Sequence, residues 1–358
     1  MNIHQDELAL ARAFSASANF ETLTDDQVLK IMNRGRALFH WFKAHRRTHY
    51  AISAAVLLFI FLTDYAVQVQ LPRWFIDARG ESSTSRIVIG ALVSGAAHSW
   101  LLYSLIVYSI HDGAAHKTIF PPEGPISRLF DYVSANLCRI SAAEPNHYST
   151  HHMMHHARFG TEEDAEFLNF VRPRRYWPTF LPLAYDINYS DFIVHRPLDW
   201  TRERLLSLPP SLLYNGLYAW YAWNHFGALF TIVVYVVMLP HFGFLTDRLR
   251  QFTEHNLMPL ENKNGSRSFG LGFWGLFVGG GPWGSPCHWA HHLVPSIPWY
   301  QQLILHRYVV SLLTPKQRTQ FLIEPVVGFP KLWWHLIQEP NAFAARAAAR
   351  TTNVPTVH

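Results

Sequence analysis

The sequence has little cysteine and little charge. The first shortage excludes sites and frameworks built from many cysteines, and the second is atypical of an ordinary soluble domain. Only two cysteines, Cys138 and Cys287, occur in 358 residues, too few for a disulfide framework or an iron–sulfur site built from this chain alone. Charged residues make up 15% of the chain, against roughly 25% in an ordinary soluble domain. No phosphate-binding loop is indicated, because the glycines of GLGFWG at 270–275 follow no strand-like pattern.

Apolar, aromatic and histidine residues take the place of the missing charge. Hydrophobic residues make up 49% and aromatic residues 15% of the chain, and this apolar content excludes disorder. Histidine occurs 22 times, nearly as often as the 25 aspartates and glutamates together. The isoelectric point near 9.2 fits contact with anionic lipid as well as with nucleic acid. The composition predicts a membrane protein with a nitrogen-ligated metal site.

Long apolar stretches predict two transmembrane hairpins, since about 20 helical residues cross a bilayer. The stretch 50–71 is apolar apart from Asp64, and 87–110 contains no charged residue. The stretch 205–246 runs for 42 positions without a charge, about twice the length of one crossing. Polar residues and a glycine at 223–227 interrupt it and predict the reversal. The predicted spans are about 50–71, 87–110, 205–223 and 226–246.

The distribution of lysine and arginine predicts which side each loop occupies. The proposed outer loops hold only Arg73, Arg79 and Arg86, and the other 27 basic residues lie outside them. We therefore expect a cytoplasmic N-terminal arm (1–48), a membrane domain (49–315) and a cytoplasmic C-terminal tail (316–358). A soluble protein with buried helices is the alternative, and the charge-free stretch argues against it.

Half of the histidines lie in four short clusters, all on the predicted cytoplasmic side. The clusters are HDGAAH (111–116), HYSTHHMMHH (147–156), the pair EH (254–255) and HWAHH (288–292). In the second and fourth clusters three histidines stand at i, i+3 and i+4, so each trio shares one face of a helix. His111 and His116 are five residues apart, and we expect them to converge only where their helix ends or bends. His98 lies alone in the middle of a span, and we expect it to be a structural hydrogen-bonding partner.

Imidazoles that converge from two helical faces suit a metal centre. A zinc enzyme would carry an HExxH-type frame, which is absent. A soluble di-iron bundle would carry two ExxH motifs, but only Glu144–His147 fits, with Pro145 inside it. Eight or more imidazoles suit two ions, and imidazole accommodates iron, copper, zinc and nickel. A His-rich membrane transporter is an alternative, although its ligands should lie near the bilayer midplane.

The motifs HDGAAH, HMMHH and HWAHH, in this order around a membrane hairpin, resemble the three histidine boxes of the membrane fatty-acid desaturase superfamily. Thr161 and Asp164 resemble residues that follow the second box, and Pro295, Pro298 and Trp299 resemble those that follow the third. The resemblance covers roughly residues 50–315. It implies an all-α membrane protein with four transmembrane helices in two hairpins and a cytoplasmic helical cap carrying a di-iron site.

The resemblance also implies the site residues. The nine implied metal ligands are His111, His116, His152, His155, His156, His255, His288, His291 and His292. His147 and His151 are alternative ligands, because they give the second box a competing HxxxHH spacing. Asp112, Asp164 and Glu254 are expected to accept hydrogen bonds from the imidazoles and so orient them.

The implied activity is an O₂-dependent, di-iron desaturation of an acyl lipid, with two iron ions (Fe²⁺/Fe³⁺) as cofactor and O₂ as co-substrate. A hydroxylase or ketolase of the same chemistry, acting on an alkane, an acyl chain or a carotenoid, stays open. The chain carries no cysteine cluster or flavin fingerprint, so a separate ferredoxin, rubredoxin or cytochrome should supply electrons. Arg172, Arg174 and Arg175 fit the docking of such an acidic carrier and equally fit contact with lipid. The expected protein is an integral, multi-pass membrane protein that binds no nucleic acid.

Overall fold

The computed structural model describes residues 12, 20–76, 82–120, 124–125, 128–129, 145–161, 163–164, 202–261, 263–283, 285–323, 331–332 and 334. This part of the chain is mostly helical and contains no strand; one isolated parallel bridge joins Ser268 to Leu322. In chain order the helices are α1 (Asp25–Ala44), α2 (Arg46–Tyr65), α3 (Thr84–Ile106), α4 (Pro145–Arg158), α5 (Arg202–Ile232), α6 (Leu239–His255), α7 (Phe273–Val278), α8 (His288–Leu293), α9 (Trp299–Leu312) and α10 (Pro315–Phe321).

Three helical stretches are long and apolar enough to cross a membrane. They are Arg46–Trp74, Thr84–Ala115 and Leu212–Met238. The first extends α2 through a π-helical turn and a 3₁₀ turn, and the second extends α3 through a π-helical segment at Val107–Ala115. The predicted membrane character and helical fold are therefore confirmed at this level, with three such stretches among the described residues where the sequence predicts four spans.

The third stretch contains a reversal at Gly227, where φ is 85° and ψ is 174°. Tyr214 before the glycine donates its hydroxyl hydrogen to Asp64, and Tyr235 after it donates to Gln68. A straight helix would separate these two tyrosines by about 31 Å at 1.5 Å per residue. Because Asp64 and Gln68 lie only four residues apart and are hydrogen-bonded to each other, the chain must turn back between the tyrosines. The reversal lies where the polar interruption predicts it.

A buried polar network holds the two predicted hairpins together. The imidazole Nδ1 of His98 lies 2.6 Å from Asp64 Oδ1, and its Nε2 lies 3.3 Å from Asn215 Oδ1. Asp64 also accepts hydrogen bonds from Gln68 and Tyr214. The expectation that His98 is a hydrogen-bonding partner is confirmed, and the one charge that interrupts the first span has three polar contacts.

Helices α1, α9 and α10 pack around α8, which carries the HWAHH motif. The Trp289 side chain is fully buried, and its ring stacks on that of Phe321 in α10 at a centroid distance of 4.1 Å. In α1, Ile31 and Leu38 belong to the same apolar cluster. Gln27 of α1 donates to the Gln317 side chain of α10. Parts of the predicted arm and of the predicted tail thus build the core beside the histidines.

Candidate metal centre

All nine histidines implied as ligands lie together in the structure. Each has at least one neighbouring imidazole whose ring centroid is no more than 5.0 Å away. They come from the end of the second apolar stretch, from α4, from the end of α6 and from α8. The side chains of His147 and His151, the alternative ligands, lie outside the described residues.

The histidines form two adjacent groups. In the first group, His111, His116, His152 and His291 have ligand atoms within 4.8 Å of one another. His156 joins this group, since its Nε2 lies 3.1 Å from Nε2 of both His152 and His291.

The second group contains His155, His255 and His292, whose ligand atoms also lie within 4.8 Å of one another. His288 completes it, with its Nε2 2.9 Å from that of His255 and 3.0 Å from that of His292. The nine histidines thus fall into a group of five and a group of four, and each group could hold a metal ion.

The spacing of the nitrogens fits metal ligation. An imidazole nitrogen binds a first-row metal such as zinc at about 2.1 Å, so two ligands at a right angle on one ion are about 3.0 Å apart. The Nε2–Nε2 distances between neighbouring histidines are 2.9 to 3.1 Å. A neutral imidazole has one N–H, and where Nδ1 holds it, Nε2 presents a lone pair. The donor set of each group therefore fits a cation.

Three acceptors fix which nitrogen carries the hydrogen. Asp112 Oδ1 lies 2.6 Å from Nδ1 of His111, and Asp164 Oδ1 lies 2.8 Å from Nδ1 of His155. An ionised carboxylate accepts and cannot donate, so when both aspartates are ionised these Nδ1 atoms donate and each Nε2 presents its lone pair. The backbone oxygen of Gly265 does the same for Nδ1 of His255 at 3.0 Å. Sequence reasoning identified the two aspartates, but a backbone acceptor leaves no sequence signal.

Glu254 lies beside the second group and forms an ion pair with Arg250, a partner that sequence reasoning missed. Its Oε1 is 3.5 Å from Nδ1 of His288, and Arg250 Nη1 donates to both of its oxygens at 2.8 and 3.1 Å. Both side chains are buried. The i,i+4 spacing of Arg250 and Glu254 on α6 was the available signal. Arg250 compensates a carboxylate that would otherwise be a costly buried charge beside the imidazoles.

A second buried arginine holds the end of α6, where the EH pair lies. Arg267 donates to the backbone oxygens of Thr253 and Asn256 at 3.0 and 2.7 Å. These are carbonyl groups at a helix C-terminus, which lack partners within the helix. Burial lowers the pKa of Arg267 to about 9, so it still carries its charge at pH 7. Its position 12 residues after His255 carries no motif by which the sequence could identify it.

The local helix geometry explains how each motif presents its histidines. In α4 and α8 the i,i+4 spacing brings His152 to His156 and His288 to His292, at 3.1 and 3.0 Å between Nε2 atoms. His111 and His116 converge differently, because the second apolar stretch ends in a π-helical segment in which His116 N–H donates to the His111 oxygen. This wide turn, common at functional sites, brings residues five apart onto one side.

Burial keeps the imidazoles uncharged. The pKa values of His152, His288, His291 and His292 lie well below the usual range, first because burial disfavours the charged form and then because neighbouring imidazoles repel a second positive charge. The neutral form is the one that binds metal.

Comparison with known proteins agrees with this geometry. A search of curated proteins found no match to the chain. The family model for fatty acid desaturases matches residues 86–322, more than half of the chain and the whole region that contains the nine histidines. The chain therefore belongs to the fatty acid desaturase family.

Proposed function

We propose that this protein is an O₂-dependent di-iron desaturase that introduces a double bond into the acyl chain of a membrane lipid. Membership of the fatty acid desaturase family supports an oxidoreductase that acts on C–H bonds. The observation that carries the proposal is the convergence of nine histidines into two adjacent groups with ligand-like nitrogen spacing.

The proposed ligands are the five histidines of the first group for one iron and the four of the second group for the other. When bound, the irons would supply the redox chemistry with O₂ that attack on an unactivated C–H bond requires. The chain's own part is to hold the imidazoles neutral and oriented. Asp112 and Asp164 accept from Nδ1 of His111 and His155, while Glu254 lies beside His288.

The degree of burial supports a direction of substrate approach. Seven of the nine histidines are buried, whereas His116 and His156 of the first group are half-buried. Among the described residues, these two rings are therefore the accessible part of the site. We infer that the acyl chain of the substrate reaches the site beside them. All four imidazoles of the second group are buried, which keeps water away from that group and protects a reactive centre from side reactions.

The proposed arrangement in the bilayer has four crossings, with the reversal at Gly227 dividing the third apolar stretch into two arms. The distribution of lysine and arginine supports a metal centre on the cytoplasmic side. A separate ferredoxin, rubredoxin or cytochrome is the proposed electron donor. Arg172, Arg174 and Arg175, its proposed docking residues, lie outside the described residues.

Lipid profiling of a host that expresses the chain tests the proposal. Wild type and a control, His40→Ala on the exposed face of α1, should produce a lipid that has lost two hydrogens. His155→Ala should abolish that product and lower the iron content of the purified protein, since His155 belongs to the second group.

Two results would contradict the proposal at different levels. A product that has gained oxygen would replace desaturation by hydroxylation at the same centre. Purified protein that holds zinc without iron, and that consumes no O₂ with a reductant, would exclude the oxidoreductase assignment to this site.

A further inference from the structure

A cleft of about 600 Å³ lies between the first apolar stretch and α5, outside the metal centre. The first apolar stretch contributes Tyr65, Val69 and Arg73, and α5 contributes Leu217, Tyr218 and Tyr221. We call it the Arg73 cleft. Its volume is in the range of small-molecule sites, which is about 300–1,000 Å³.

The Arg73 cleft lies one bilayer thickness away from the histidines. Phe75, two residues after Arg73, packs so closely on Gly90 that a β-carbon there would lie 2.7 Å from that of Phe75. From Gly90 the helix runs 21 residues to His111, about 31 Å at 1.5 Å per residue. The hydrocarbon core of a bilayer is about 30 Å thick. The mouth of the cleft therefore lies at the membrane surface opposite the metal centre.

The cleft carries a cation whose donors are only partly used. Arg73 is exposed, and its guanidinium donates to the Tyr221 hydroxyl at 2.8 Å and to the Gln70 side chain at 3.5 Å. A guanidinium has five N–H donors in a planar fork that matches two oxygens of a phosphate. No acidic side chain lines the cleft among the described residues. The charge at the mouth therefore favours an anion.

The walls below Arg73 suit hydrocarbon. Leu217 and Tyr65 are 59% and 49% exposed, and they face the cleft together with the buried Val69. Tyrosine and tryptophan are enriched where a membrane surface meets its apolar core. A phospholipid combines the two features that this cleft would bind. Its phosphate oxygens lie at the membrane surface, and its apolar chains lie beneath them.

We propose that the Arg73 cleft binds one anionic glycerophospholipid, with its phosphodiester on Arg73 and an acyl chain along Tyr65, Val69 and Leu217. The bound lipid bridges the two predicted hairpins, because the walls of the cleft belong to one helix of each. It stabilises their packing, since a ligand that binds only the folded state raises its stability. The site requires neither the metal nor turnover.

The test uses the full-length protein in a neutral detergent. Native mass spectrometry counts retained lipids, and thermal unfolding is followed during titration with phosphatidylglycerol, phosphatidylcholine or inorganic phosphate. Arg73→Gln removes the cation. Arg86→Gln is the matched control, since Arg86 is also exposed on the same side, at the start of α3. Leu217→Trp fills the cleft while keeping Arg73 and its contacts.

Wild type and Arg86→Gln should retain one phosphatidylglycerol and unfold at a higher temperature when it is added. Arg73→Gln and Leu217→Trp should each weaken its binding at least tenfold. Should Arg73→Gln fail to fold, Leu217→Trp decides alone.

Four results would overturn the proposal. The first is that Arg73→Gln or Leu217→Trp binds phosphatidylglycerol as tightly as wild type does. The second is that Arg86→Gln loses as much affinity for phosphatidylglycerol as Arg73→Gln does. The third and fourth are that phosphatidylcholine is retained as strongly as phosphatidylglycerol, and that inorganic phosphate stabilises the protein as much as the lipid does.

Discussion

Single side chains decide whether His111 and His155 present a lone pair or a hydrogen to the neighbouring imidazoles. Asp164 shows how closely this is specified. Its Oδ1 accepts from Nδ1 of His155, and its Oδ2 accepts from the Gly160 backbone N–H at 3.0 Å. Both oxygens are therefore used as acceptors, and the side chain is fully buried. The sequence identified Asp164 by its place after the second histidine motif, whereas Gly265 and Arg267 act through contacts that only folding creates.

Replacing Asp164 by Asn should lower iron affinity by about 10–100-fold, the usual effect of removing a partner that orients a ligand. An amide has one acceptor oxygen, so either His155 Nδ1–H or Gly160 N–H would face an N–H₂ group. The measurement is iron titration of the metal-free protein.

The matched control for this substitution is Glu163→Gln, which changes the neighbouring carboxylate. Glu163 is exposed and pairs with Arg158 at the surface, where an ion pair contributes little. The iron affinity of the Glu163→Gln variant should equal that of wild type. Unchanged affinity in Asp164→Asn would show that the aspartate does not orient a ligand.

At the scale of helices, two departures from regular geometry build the fold. The π-helical end of the second apolar stretch brings His111 and His116 together, and Gly227 turns α5 back on itself. The reversal was predictable, because polar residues interrupt a charge-free stretch of twice the required length. The π-helical turn was not predictable, because i→i+5 hydrogen bonding arises from the surroundings of the helix rather than from a residue pattern; only the need for a bend was foreseen.

Two glycines of α5 provide a test of the reversal. A β-carbon at Gly227 or at Gly216 would have no other atom within 4 Å, so neither substitution by alanine creates a clash. The backbone of Gly227 lies in a region open almost only to glycine, so Gly227→Ala should destabilise the protein by about 1–3 kcal/mol. Gly216 is helical, so Gly216→Ala should stabilise it by about 0.5–1 kcal/mol.

The measurement for the glycine pair is the free energy of unfolding of each variant in the same detergent. Opposite signs are expected for the two substitutions. Equal effects would mean that the backbone at position 227 is not held in the reversed conformation.

At the scale of the whole molecule, the proposed arrangement in the bilayer separates the histidines from the Arg73 cleft. The prediction that the two ends face opposite sides is tested with two exposed positions. Ser83 directly precedes α3, in the loop predicted to lie outside, and Thr319 lies on α10, which packs against the helix carrying the third histidine motif.

In intact cells a membrane-impermeant thiol reagent should label Ser83→Cys above the wild-type background. Thr319→Cys should be labelled only after permeabilisation, because the excess of lysine and arginine predicts that its side faces the cytoplasm. The reverse pattern would invert the proposed orientation. Labelling of both positions from one side would contradict two membrane hairpins.

The sequence by itself determined the class of the protein and the identity of the converging residues. The length of the apolar stretches predicts the helices, and the spacing of the histidines predicts which helix faces carry them. Both patterns depend only on residues near one another in the chain. The tertiary structure decided how nine imidazoles divide into two groups, which acceptors orient them and where Arg73 meets Tyr221. Those contacts join residues up to 180 positions apart, such as His111 and His291. Their distances depend on helix packing, which no local pattern encodes.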